Sequence, residues 1–460
     1  MGDLKLPGVG SGFPIQSFVD ATVNAERAPK EQLFNKREAD ISVKLSAYGS
    51  LTGALDGFKT ALGKLEGNDA FQKRSTSFSE SGFVSAKASK NAVAGSYTLV
   101  VNKLAQAHKA GSQAIDTTSK LGEGSLNISV GDQSFSVAIA EGSSTLSGIA
   151  DAINRAENNK GVKATVVTDD AGSRLVLFSE KTGTDHQISL SVNESSPGGL
   201  SQLLDAEGKL TEVQAAQNAE ITIDGAMVTS QSNEIKDAIA GVTLTLDKIN
   251  TTEKPDTRLT IGYDKKAVET NIKSLVDAFN KVVNTVDSLT SYDAEANKAS
   301  PLNGDTSTRN LMSQLRRMMS TPIEGAQAPV QTLADLGITT NKDGTLELDS
   351  EQLQQQLSDN FEQVGALLAG DKGLTGQLKG LTEEFVGKEG ILTQKGESLA
   401  DQMKKLDKEK ASFSAYMEQY EARVYKQFSA MDMVVAQMNQ QLSSVISAFE
   451  NMPSFGNSKK

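Results

Sequence analysis

The sequence predicts an α+β multidomain protein: a terminal α-helical coiled-coil stalk and helical bundle, with β-rich domains inserted between the two helical halves. Three observations carry this. Apolar residues recur at helical spacing near both ends of the chain. Between about Arg74 and Tyr263 the sequence turns rich in Ser, Thr, Val and Gly and alternates in polarity. Neither helical end carries a complete apolar core of its own, so the two ends are expected to pair.

From Ile15 to about Leu65 the spacing is helical, and Pro29 sits where a second helix is expected to begin. Leu45, Tyr48, Leu51, Leu55, Phe58, Leu62 and Leu65 fall on one stripe. Gly49, Gly53, Gly57 and Gly63 lie in the same stretch. Each costs about 1 kcal/mol relative to Ala, so this helix should depend on a packing partner.

Strand-like runs follow, among them "GSLNISVGDQSFSVAIA" and "GVKATVVTDDAGSRLVLFS". Leu126, Ile128 and Val130 face one way and Ser125, Asn127 and Ser129 the other, the mark of a half-buried strand. Asp169–Gly172 reads as a hairpin turn. One helix interrupts the strands, capped by Ser144 or Thr145, with Leu146, Ile149, Ala150 and Ile153 as its buried face. "NESSPGGLSQLLDAEGK" reads as a loop and a seam between two β domains.

Helices return at Tyr263. Val268, Ile272, Leu275, Phe279, Val282, Val286 and Leu289 alternate steps of 4 and 3. A helix from about Thr306 to Met319 should be capped by Asp305 or Thr306. A turn with a short hairpin at Leu336–Asp349 should lead to a helix from Ser350. The last seam is the longest: Leu399, Met403, Leu406, Phe413, Met417, Tyr420, Val424, Phe428, Met431, Val435, Met438, Leu442, Val445 and Phe449, with Lys410 filling one slot and a stutter at Val424. The closing "PSFGNSKK" reads as frayed.

This gives expected boundaries: 1–44 and 396–460 as the two halves of the coiled coil, and 45–72 and 263–395 as two parts of a helical bundle. An inner β domain takes 73–120 and 206–262, and an outer one 121–205. At about 150 residues per domain, the 460 residues agree with several domains.

Composition excludes several functions. A net charge of −12 argues against a nucleic-acid partner, which needs clustered Lys and Arg. No apolar run is long enough to span a membrane. Without cysteine there is no disulfide, thiolate nucleophile or Cys-bound metal. The first residues lack the apolar core of a signal peptide, and Leu6 stands where myristoylation needs Ser or Thr. His108 and His186 have no nucleophile or paired carboxylate at diagnostic spacing and read as ordinary surface or strand-end residues. "NKDGTLELDSE" lacks the first and last carboxylates of a calcium loop; Asp343-Gly344 reads as a tight turn, with Asp349 or Ser350 capping the next helix. "GVGSG" lacks the strand and Lys of a phosphate loop. The Met-rich seam reads as coiled-coil core that doubles as a partner surface in an oligomer. No enzyme, cofactor or metal is called for.

Six stretches, in this order, carry a resemblance: "GVGSGFPIQSFVDATVNAERAP", "YGSL" (Tyr48–Leu51), "AGSYTLVVNKLAQAHK" (Ala94–Lys109), "STLSGIADAINRAENNKGVKATVV" (Ser144–Val167), "DAFNKVVN" (Asp277–Asn284) and "LGITTNKDGTLELD" (Leu336–Asp349). They resemble the flagellar filament-cap family, hook-associated protein 2; the fourth is similar to a repeat shared with flagellins. The family often has Leu-Asp after its Gly-Ser-Gly, where this chain has Phe13-Pro14.

The resemblance implies a non-enzymatic assembly factor, exported through the flagellar type III channel without a cleaved signal peptide. It implies an extracellular place at the filament tip. The implied partners are copies of itself in a ring, most often of five, flagellin, hook-associated junction proteins, an export chaperone and, for some members, mucin. A flagellin, a hook–filament junction protein or a glycan-binding adhesin are the alternatives. The residues expected at the coiled-coil and partner interface are Ile15, Phe18, Val19, Met417, Tyr420, Val424, Phe428, Met431, Val435, Met438, Leu442 and Val445, with the helix at Ile15 pairing with Val424–Phe449. Gly8, Gly10 and Gly12 are expected to let the leg adapt to passing subunits.

Overall fold

The structure, a computed structural model, describes residues 14–67, 69–194, 199–324, 326–369 and 372–450. The "GVGSG" stretch with Gly8, Gly10 and Gly12, and the closing "PSFGNSKK", lie outside the described residues. Two compact units form: Met1–Gly67 with Glu269–Lys460, and Asn68–Val268. The expected α+β architecture holds, with helical ends and a β-rich middle.

Helix α1 (Ile15–Gly63) comes first among the described residues, followed by the short α2 (Asp69–Gln72). Strands β1 (Arg74–Phe78), β2 (Val84–Ala88), β3 (Gly95–Lys103), β4 (Ala107–Gly111), β5 (Gly124–Val130) and β6 (Gln133–Ile139) precede α3 (Leu146–Arg155). Then come β7 (Val162–Asp169), β8 (Gly172–Thr182), β9 (Ile188–Glu194), β10 (Thr211–Gln214) and β11 (Ala219–Ile223). β12 (Ala226–Ser230), β13 (Glu234–Ile239), β14 (Val242–Leu246) and β15 (Thr257–Tyr263) complete the run. The chain continues through α4 (Lys265–Thr290), β16 (Tyr292–Asp293), β17 (Lys298–Ala299), α5 (Thr306–Ser320), β18 (Ile338–Thr340) and β19 (Leu346–Leu348). It ends with α6 (Ser350–Asp359), α7 (Phe361–Ala369), α8 (Leu374–Val386) and the long α9 (Ile391–Glu450).

The β-rich unit holds two cores. In the first, the sheet β1-β15-β3-β11-β12 faces β13-β14-β2, and Leu99, Val101, Ile221, Leu244 and Leu259 fill the space between. In the second, β10-β4-β8-β7 and β6-β5-β9 share a core with α3 built on Leu126, Ile128, Ile149, Ile153, Leu175 and Leu177. The alternation read in β5 is real: Leu126, Ile128 and Val130 are buried. Thr145 caps α3, its hydroxyl accepting from the Gly148 N–H at 3.2 Å. Asp169 pairs with Gly172 across a two-residue turn.

Three sequence expectations change here. Leu200 and Leu203, in the segment read as a loop, are buried in the second core; the polar residues around them hide two apolar anchors. β4 and β10 pair with β8 and each other, so this sheet draws on chain beyond the expected limits 121 and 205. His108 is buried rather than a surface residue. Its Nδ1 accepts the Ile188 N–H at 3.1 Å, tying β4 to β9. Burial pushes its pKa below the usual value, with Glu212 opposing. His186 closes a short 3₁₀ turn, Thr184–His186, just ahead of β9.

In the helical unit, the stripe Tyr48, Leu51, Leu55, Phe58, Leu62 and Leu65 is buried, while Leu45 at its head is largely exposed. Phe58 meets Phe279 of α4 edge-on, with centroids 5.9 Å apart. Leu374, Leu378, Leu381 and Phe385 supply the α8 face. Asp305 caps α5 by accepting from the Thr308 N–H at 2.8 Å, and Asp349 caps α6. Asp343 accepts from Thr345 while Gly344 takes a positive φ of 86°, the conformation a tight turn needs there. Asn280 of α4 accepts the Leu346 N–H at 2.6 Å and donates to its carbonyl at 2.8 Å. Two of the stretches that carry the resemblance are thereby joined.

Candidate functional site: the terminal helix pair

Pro29 does not start a second helix. α1 runs unbroken through it. The proline removes the hydrogen bond to the Ala25 carbonyl, but Ala25 and Pro29 both face solvent. Val23 and Phe34 are buried on either side, and α9 holds the two segments in line.

α1 and α9 run antiparallel. Phe18 lies 6.1 Å from Phe428 and Phe34 lies 5.6 Å from Phe413, centroid to centroid. Lys410, which fills a seam slot, pairs with Glu38 at 2.5 Å, and Arg37 with Glu409 at 3.5 Å. Both pairs are open to solvent at least in part, so they set register more than stability. The apolar centre is small: Ile15, Val19, Val23, Met417 and Val424 are buried, with Phe413, Tyr420, Tyr425 and Phe428 against them. An aromatic ladder runs along α9, Phe413 to Tyr416 at 6.3 Å and Tyr416 to Tyr420 at 6.1 Å, with the Arg423 guanidinium 5.4 Å from the Tyr420 ring.

The helix at Ile15 therefore packs on Met417–Phe428, which meets the expected Val424–Phe449 only between Val424 and Phe428. Of the interface residues read from the sequence, Ile15, Val19, Met417, Tyr420, Val424 and Phe428 come together in one cluster; Phe18 touches Phe428 but is 43% exposed. Met431, Val435, Met438, Leu442 and Val445 are exposed, as are Met433, Val434, Ile446 and Phe449. Among the described residues, α1 begins opposite the region of Phe428, while α9 continues to Glu450. This tail, "MDMVVAQMNQQLSSVISAFE", carries only two charged residues, Asp432 and Glu450. An apolar stripe of this size on a helix surface marks a contact face.

At the other end of the pair lies a polar cluster that sequence reading missed. The Tyr48 hydroxyl donates to Asp305 Oδ2 at 2.8 Å. The Lys395 Nζ donates to the same oxygen at 2.5 Å and to Tyr48 Oη at 3.2 Å. One carboxylate thus ties α1, α5 and α9. Burial works against its charge, but bonds from Lys395, the Thr308 N–H and Tyr48 hold the Asp305 carboxyl down at about 2. The only available signal was Asp305 as a cap; its other partners lie far away in sequence.

Among the described residues, no three His, Cys, Asp or Glu side chains are grouped to hold a metal ion, and no helix is long and apolar enough to cross a membrane.

The pattern of the flagellar hook-associated protein 2 C-terminus matches residues 216–440 and that of its N-terminus residues 11–108. A flagellin hook IN motif matches residues 125–181. The A-type flagellar hook-associated protein 2 of Pseudomonas aeruginosa is 35% identical, with 97% of each chain covered. The chain belongs to the flagellar hook-associated protein 2 family. Another family member, from Escherichia coli K12, is 32% identical over 98% of this chain and 99% of its own. The crystal structure of the flagellar cap protein FliD D1-D2-D3 domains from Escherichia coli superposes with a TM-score of 0.62 at 34% identity. It covers 77% of this chain and 99% of that chain. Hook-associated protein 2 is a structural flagellar cap family, and the D1-D2-D3 architecture extends over 77% of this chain.

Proposed function

We propose that this chain caps the growing flagellar filament, as a ring of copies that holds flagellin subunits while they fold and join, and prevents their loss. In this reading α1 and α9 form a leg, and the tail of α9 grips the axial subunits beneath it. Five copies, contacts with flagellin and with junction proteins, and export through the flagellar channel with a chaperone belong to the same reading. So does the position at the filament tip.

The observation that carries it is the bare apolar tail at the end of a paired stalk. A stripe of Met431, Val435, Met438, Leu442, Val445 and Phe449 stands out in solvent at steps of 4 and 3, which is the spacing a helical partner fills. The methionines suit a face that must meet several partners in turn. The flagellin alternative draws only on the IN motif, which covers 125–181.

The test is Met431→Asp with Met438→Asp in a strain lacking its own cap gene. Both positions are exposed, so the protein should fold with an unchanged melting curve. Swimming should stop, and unpolymerised flagellin should collect in the medium. Normal swimming by that strain would remove the tail from the capping mechanism.

A further inference from the structure

The polar cluster lies where the stalk meets the bundle. Tyr48 and Lys395, 3.2 Å apart across the pair, are each followed by a glycine, Gly49 and Gly396. The two glycines therefore lie at the same level of the antiparallel pair. A Cβ at either would meet nothing within 4 Å, so no close approach requires glycine there. What both positions do have is the weakest hold on helical geometry of any residue but proline.

Support also ends at this level. From Ala47 to Leu62, α1 buries eight residues in the bundle; from Ile15 to Ser46 it buries Ile15, Val19, Val23 and Phe34 alone. In that outer stretch its ring contacts and ion pairs to other elements, at Phe18, Phe34, Arg37 and Glu38, reach α9. Open grooves flank Lys44 on two sides. One of about 730 Å³ lies toward the Ser291–Pro301 turn, and one of about 340 Å³ toward Leu399–Glu409. Gly53 and Gly57 also have open space, but Leu51, Leu55 and Phe58 clamp that part of α1 in the bundle core.

We propose that Gly49 and Gly396, beside the Tyr48–Asp305–Lys395 cluster, form a joint on which the α1–α9 stalk swings against the helical bundle. The Asp305 carboxylate is the pivot: it holds both helices to the cap of α5 at one point, so the pair bends there as a unit rather than sliding apart. The grooves beside Lys44 give the stalk room to move. On the cap reading, such a joint would let a leg yield as each new subunit passes. The joint itself does not depend on that reading.

The absence of cysteine makes the test direct. Nitroxide labels are placed at Glu31→Cys on the stalk and Arg317→Cys on α5. The full-length chain is diluted into unlabelled protein, and the distance distribution is read by double electron–electron resonance. A broad distribution is expected, narrowing to about half its width when Gly49→Ala and Gly396→Ala stiffen both helices. Asp305→Asn should broaden it or shift its centre. An equal width before and after the alanine substitutions overturns the joint, and an unaltered distribution in Asp305→Asn overturns the carboxylate's part. Both can be measured in protein whose capping is intact, so a rigid stalk would leave the cap reading standing.

Discussion

The bundle and the stalk are built from the same two helices and obey different rules. In the bundle, α1 presents Leu51, Leu55, Phe58 and Leu62, all fully buried, to several neighbours at once. In the stalk, among the described residues, its ring contacts and ion pairs to other elements reach α9. Over the 60 residues of α9, the buried positions are Leu392, Leu406, Met417, Val424 and Asp432. A helix with a single partner buries a narrow seam and leaves most of its surface wet. The bundle should stand on its own core, whereas the stalk owes its order to one seam. That difference suits a part that keeps its shape beside a part that must exchange partners.

The comparison breaks most severely in the bundle. Phe58→Ala removes a fully buried ring that packs edge-on against Phe279. It should cost about 3–5 kcal/mol, read as a lowered denaturation midpoint of the helical unit. A loss confined to the stalk would contradict the division drawn above. Val424→Asp should act the other way round. It sets a charge against Ile15 and Val19 and should cost roughly 2–4 kcal/mol of stalk pairing. Amide exchange should rise along Ile15–Phe34 and Phe413–Phe428 while Leu51–Leu62 stays protected.

The smallest expected effect sharpens the border between the two regions. Asp305→Ala should cost about 1–2 kcal/mol through the lost cap and the lost partner of Lys395. The carboxyl is ordinarily near 3.8 and is lowered here to about 2. Its contribution is therefore present in full above about pH 4 and is lost as the pH falls toward 2. A pH titration of stability should show a decline in that window for the natural chain that is shallower in Asp305→Ala. Parallel curves would mean that folding leaves the Asp305 carboxyl unshifted.

Much of this fold can be read in the sequence, because period is a local property. The stripes of α1, α4 and α9 and the alternation of β5 need no knowledge of partners. The caps at Thr145, Asp305 and Asp349 follow from one side chain and the next turn. What could not be read depends on length and distance. The α9 seam shows that a partner exists, but not that the described part of α1 begins near Phe428 and that Met431, Val435, Met438, Leu442, Val445 and Phe449 are exposed. Pro29 obeys a local rule that packing against α9 overrides. Leu200 and Leu203 sit among Ser, Gly and Gln, so their burial shows only once β5 and β9 are in place. His108 lies in a strand of five residues, Ala107–Gly111, too short for alternation to choose its side. The Tyr48–Asp305–Lys395 cluster has no period at all.

The near absence of charge on the α9 tail has a consequence for the medium around the cell. Contacts held by ion pairs weaken as salt is added, since opposite charges are screened within about 10 Å at 0.1 M ionic strength. A face of Met, Val, Leu, Ile and Phe among Gln, Asn and Ser has little to screen. Salting-out ions strengthen apolar burial instead. A grip made through this tail should hold as well in brine as in fresh water, and let go first in the cold.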